Sequence, residues 1–180
     1  MAEWLERRYG AQVTWFPFDL HPEYPPEGIP RSRLTARYGE SFHDRLRASF
    51  AEAGLGYNPP PDVVPNTMRA LCMTELAREQ GLHAQVHDRL MRAYWEEARN
   101  IGDPGELSAL GSACGLDVDE LESAVESTLY RERIRSITAD ANSVGITAIP
   151  AFVLDRRLLV LGAQPRTVFE QAVAQLRAAD

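Results

Sequence analysis

Two apolar runs of four residues, Ala151-Phe152-Val153-Leu154 and Leu158-Leu159-Val160-Leu161, are separated only by Asp155-Arg156-Arg157. Runs this short, bounded by polar residues, predict a β-hairpin. Gly162-Ala163-Gln164-Pro165 then leads into a helix with the stripe Val168, Phe169, Ala172, Val173 and Leu176. An isolated hairpin is marginal in water, so this one needs more sheet or a helix to pack on. The other strand-like stretch is Val13-Thr14-Trp15-Phe16-Pro17-Phe18, far away near the N-terminus. It is rich in β-branched and aromatic residues and predicts a strand. Pro17 must end its ladder or place it at an edge.

Between these ends the period is helical. Residues 3–9 read as a helix stopped by Gly10. Residues 21–30 carry four prolines and predict an extended loop. From Ser32 to about Gln80 helices are broken by a loop over Gly54–Pro61; Phe42, Leu46 and Phe50 mark one stripe. Asn66 predicts an N-cap for a helix to about Gln80. Leu82, Val86, Leu90 and Tyr94 mark the next helix. Asp103-Pro104 predicts the start of a helix ending near Cys114. Asp117 with Glu120 resembles a capping box, and a further helix runs from about Leu129 to before Gly145. The fold class is α/β. A small sheet domain, residues 1–31 and 143–180, is interrupted by an all-helical insertion, residues 32–142.

With 26 acidic and 19 basic residues the formal net charge is −7. An acidic balance argues against nonspecific nucleic-acid binding, which needs a basic face. No run approaches the roughly 18–20 apolar residues of a membrane span, and MAEWLERRYG has no signal-peptide core. A cytoplasmic protein without membrane or nucleic-acid partners is expected. Two cysteines exclude a disulfide-stapled scaffold and a four-cysteine zinc site.

Pro150, directly before an apolar strand, belongs at the strand start because it cannot donate to a ladder. A cis bond can sit there, but position alone does not separate it from an ordinary trans proline. Cys72 lies mid-helix in Leu71-Cys72-Met73, the setting of a buried inert thiol. Cys114 falls at a helix C-terminus, where the dipole opposes thiolate formation. A disulfide between them needs Cα atoms within about 7 Å, which the sequence does not decide. His83 and His87 are four apart on one helix face, as in metal-binding helices, but without a third ligand nearby they read as a solvated face. Arg131, Arg133 and Arg135 likewise read as a solvated face. No metal site is expected.

Three segments in order carry a family resemblance: Pro17-Phe18-Asp19-Leu20-His21-Pro22-Glu23, then Tyr94 to Asp103, then Gly145-Ile146-Thr147-Ala148-Ile149-Pro150-Ala151-Phe152-Val153 with its hairpin and Gly162-Ala163-Gln164-Pro165. The chain resembles DsbA-family thioredoxin folds, closest to the FrnE-like branch and related to 2-hydroxychromene-2-carboxylate isomerases. The resemblance implies a thioredoxin-like sheet, a cis Pro150, and substrate binding at Ala148, Ile149 and Pro150. It implies a protein or a small thiol or disulfide as substrate. His21 would approach the active-site cleft in such a fold, and the isomerase branch suggests Asn66 as a glutathione ligand; no other cofactor is implied.

The family also has a first strand and a Cys-x-x-Cys at the N-terminus of the first helix, where the dipole lowers the thiol pKa. Here Met1 falls inside that helix. No residue then takes the nucleophile role, so no catalytic residue is assigned. Three explanations follow: a start further upstream, a relative that pairs its strands differently or with a partner chain such as a second copy in a homodimer, or a fragment that folds poorly.

Overall fold

The computed structural model describes residues 1–39, 41–58 and 61–179. Pro59 and Pro60, in the loop expected over 54–61, lie outside them. The described residues form α1 (Ala2–Tyr9), β1 (Ile29–Pro30), α2 (Ser32–Tyr38), α3 (Phe42–Glu52), β2 (Val63–Val64), α4 (Met68–Glu79), α5 (His83–Trp95), α6 (Pro104–Ala113), α7 (Val118–Val125), α8 (Thr128–Ser143), β3 (Ala151–Leu154), β4 (Leu158–Leu161) and α9 (Arg166–Ala178). Two compact units result: residues 1–20 with 137–180, and residues 21–136. Composition placed these boundaries at 31/32 and 142/143. The loop over 21–30 groups with the helices because Ile29 and Pro30 pair antiparallel with Val64 and Val63. None of the described helices is long and apolar enough to cross a membrane.

The first unit is built on the hairpin. β3 and β4 pair antiparallel, with Phe152 opposite Val160 and Val153 opposite Leu159. Asp155 and Arg156 take positive φ of 51° and 54° to close the turn, as a turn matched to the strand twist requires. Alternation sorts the side chains. Phe152, Leu154 and Val160 face a core made by Leu5 of α1 and Phe169 of α9, with Trp4, Tyr9, Val168 and Ala172 around it. Phe152 meets Phe169 edge-on at 4.9 Å and 82°. Val153, Leu159 and Leu161 remain exposed on the other face.

Residues 13–18 are not a strand. A β-prone run becomes a strand only where another edge accepts its ladder bonds, and neither described sheet includes it. Propensity alone was insufficient.

In the second unit α4 is the central helix, burying Met68, Ala70, Cys72, Met73, Leu76 and Ala77. It packs with α5, α6 and α7 around Val86, Leu90, Leu107, Leu110 and Leu121. A side chain at Gly111 would run into Leu121, so glycine permits the close approach of α6 and α7. The caps are local. Asp103 Oδ1 accepts from Glu106 N at 2.9 Å and Asp117 Oδ1 from Glu120 N at 3.0 Å. Asn66 is not the cap of α4; Thr67 occupies that position. Asn66 Oδ1 instead accepts from Met68 N at 2.9 Å, and its Nδ2 donates to Tyr24 O at 2.7 Å. The side chain thus fastens the proline-rich loop to the start of α4.

Candidate functional site

The loop before β3 is framed from both sides by short-range bonds. α8 ends with Ile146 N donating to Ala141 O at 3.0 Å, and Gly145 takes φ 89° to reverse the chain. A residue with a Cβ is strained there. The Ile149–Pro150 peptide bond is cis. Pro150 has no N–H to give, but its carbonyl accepts from Gly162 N at 2.8 Å, which anchors the loop to the end of β4. Gln164 Nε2 donates to Leu161 O at 2.9 Å and secures the segment that follows.

Ala148, Ile149 and Pro150 are exposed, with Ile149 at 51%. The three residues named by the resemblance therefore form one surface loop beside the exposed face of the hairpin. Ile149 thus presents an exposed apolar side chain beside the cis bond.

This unit contains no cysteine and no histidine. Both thiols lie in the helical unit. Cys72 is fully buried among Met68, Ile134, Leu71 and Tyr130, and burial pushes its thiol up to about 11. Cys114 is buried at the end of α6, its Sγ 4.0 Å from Gln85 O, and burial raises its pKa as well. Both are free thiols. A reactive cysteine needs an electropositive, partly open setting, and neither has one.

The remaining candidates scatter over the helical unit. His21 Nδ1 lies 3.0 Å from Glu23 Oε1, and its ring stacks on Tyr24 at 4.4 Å. A backbone hydrogen bond, and then His21, hold the Glu23 carboxyl below the usual range. Asn66 lines a cavity of about 170 Å³ with Arg69, Asn100 and Asp103. Its amide is already committed at both ends.

Of the expected solvated arginines, two are held by carboxylates. Arg131 Nη2 bonds Glu126 Oε2 at 2.8 Å, and Arg133 reaches Glu79 at 3.0 Å and Glu75 at 3.5 Å. Glu75 is 1% exposed and also receives Arg78 at 3.0 Å. The sequence reading missed this buried carboxylate. Its signal is present: an acid inside the apolar run Leu71–Ala77 with Arg three residues on. Among the described residues no group of three or more His, Cys, Asp or Glu side chains is placed to hold a metal.

The model of the DSBA-like thioredoxin domain matches residues 1–174. The chain belongs to this family. It is 28% identical over 167 residues to the uncharacterized protein YwbO of Bacillus subtilis, spanning 91% of this chain and 82% of that protein. Among solved structures it resembles a probable DsbA oxidoreductase of Streptomyces coelicolor, at 31% identity and a TM-score of 0.86, covering 97% of this chain and 79% of that one. A 2-hydroxychromene-2-carboxylate isomerase shares the fold at 19% identity and a TM-score of 0.76, over 97% of this chain and 86% of that one. The thioredoxin-like DsbA fold with its helical insertion is thus the architecture of this family member. The hairpin, α1 and α9 are its sheet-bearing part.

Proposed function

We propose that this DsbA-family chain holds an extended peptide, or a small thiol or disulfide compound, at Ala148, Ile149 and Pro150, and performs no dithiol exchange within these 180 residues. One observation carries the reading: the unit with the binding loop has no thiol, and the two thiols elsewhere are buried and raised in pKa. Thiol–disulfide exchange needs a thiolate attacking a disulfide sulfur, and a buried thiol at about 11 supplies almost none at neutral pH. The two free cysteines fit a reducing cytoplasm.

The test is insulin reduction with dithiothreitol, paired with binding of reduced insulin B chain. Turnover should stay at background, and Cys72→Ala with Cys114→Ala should leave peptide binding unchanged. Ile149→Asp should weaken it. Turnover at the level of an active thiol oxidoreductase would overturn the reading. Retention on immobilised glutathione would favour an isomerase-like role instead.

A further inference from the structure

Among the described residues the hairpin sheet has β4 on one side of β3 and no strand on the other. Two strands alone are marginal in water, and stability needs more strands over an apolar face. Here Val153, Leu159 and Leu161 stay exposed on the outer face of the hairpin. Nothing guards the open edge. Residues 141–154 carry no charged side chain, β3 holds neither proline nor glycine, and its register with β4 runs without a bulge. Edge strands that stay single are blunted by one of these devices.

The ladder fixes which backbone groups face that edge. Gly162 N donates to Pro150 O at 2.8 Å, and Phe152 stands opposite Val160. Hydrogen-bonded and non-hydrogen-bonded positions alternate along an antiparallel pair. Pro150, Phe152 and Leu154 therefore turn their backbone groups toward β4, and Ala151 and Val153 turn theirs outward. The N–H that Pro150 lacks belongs to the β4 side, so the outer edge loses no donor. Side chains alternate in step: Phe152 joins the core with Phe169, and Val153 stays on the solvent face.

We infer that this edge is an interface between two copies of the chain, which pair β3 antiparallel with β3 about a twofold axis at Phe152. In that register Ala151 lies opposite Val153 of the other copy, so every outward N–H meets an outward C=O. The two Phe152 side chains meet at the closely spaced, non-hydrogen-bonded position and extend each small core toward the other. The two hairpins become one continuous sheet. A slip of one residue would set core-facing side chains against solvent-facing ones. An axis at Val153 would put Ala151 opposite Asp155, whose φ of 51° takes it out of extended backbone. Charge selects the occupant. A twofold contact sets a patch against itself, and each chain carries −7. Two copies must then meet where like charges are absent, and the uncharged edge meets that condition.

The test is sedimentation equilibrium of the full chain over a concentration series. A rise from 20.1 kDa to twice that mass is expected. Val153 is 52% exposed, so Val153→Lys fits the fold; it places like charges on both sides of the axis and should weaken association at least about tenfold. Val153→Pro removes an outward N–H and no bond to β4, and should do the same. Circular dichroism checks the fold of both variants. Disulfide trapping reads the register: opposite Cα atoms in a hydrogen-bonded pair lie about 5.5 Å apart, within disulfide reach. Mixed Ala151→Cys and Val153→Cys chains should therefore crosslink, and neither variant alone should. The native Cys72 and Cys114 are buried and do not compete. A species of 20.1 kDa throughout, which would leave the edge to some other chain, overturns the assignment. So does a dimer that survives both Val153 variants, or one that Val153→Cys traps alone.

Discussion

The backbone N–H of Asp19 donates to Thr138 Oγ1 at 3.0 Å, joining residues 119 positions apart. Asp19 and Thr138 are both buried. This bond ties the irregular segment after α1 to α8, where propensity called for a strand. Thr138→Val keeps the shape and removes the acceptor, leaving a buried N–H without it. Stability should fall by about 1–3 kcal/mol, measured by urea denaturation, whereas Thr138→Ser should lose less.

Phe169 is fully buried in the small core beneath the hairpin. Phe169→Ala should cost about 3–5 kcal/mol. Amide exchange should show β3, β4 and α9 losing protection together, before the helical unit.

Glu75 is the buried centre of an ion network with Arg78 and Arg133. Removing it takes the carboxylate from Arg78, while Arg133 keeps its pair with Glu79, and both guanidinium groups are partly exposed. Glu75→Ala should therefore cost about 3 kcal/mol, at the low end for a broken buried pair. Glu75→Gln keeps one acceptor and should cost less. Equal losses in the two variants would mean that packing, not charge, sets the effect.

Stability should depend on pH through α5. His83 and His87 have folded pKa values below the ordinary 6.5. Between those values and 6.5 the unfolded chain binds more protons, so stability rises with pH. It is fully present above about pH 7 and is lost as the pH falls through 6.5 toward the folded values. Arg78 and Glu75 act on His83, and Asp88 acts on His87. Glu97, held low first by its hydrogen bond to Arg89, adds a loss of the same sign below 4.5. Urea midpoints at pH 7.5 and 5.5 in metal-free buffer should differ in the wild type. The difference should shrink in His83→Gln with His87→Gln.

The order of helices was legible because helix signals are local. Asp103 and Asp117 bond an N–H three residues on, and Gly10 and Gly145 take the left-handed φ that ends α1 and follows α8. The loop at Ala148, Ile149 and Pro150 was legible only as a family likeness; periodicity showed a strand start and nothing of its use. The pair β1–β2 was missed because two residues on each side carry no pattern.

The sequence by itself determined the stop of α1, the starts of α6 and α7, the hairpin at 151–161, and the absence of any thiol from residues 1–20 and 137–180. Those properties depend on neighbours a few residues away or on composition. Only the tertiary structure decided that Val13–Phe18 stays out of a sheet, that Glu75 is buried among arginines, that Cys114 is buried, and that His83 and His87 lie side by side. Each of these turns on which distant surface arrives to desolvate or pair a group, and sequence spacing does not encode that arrival.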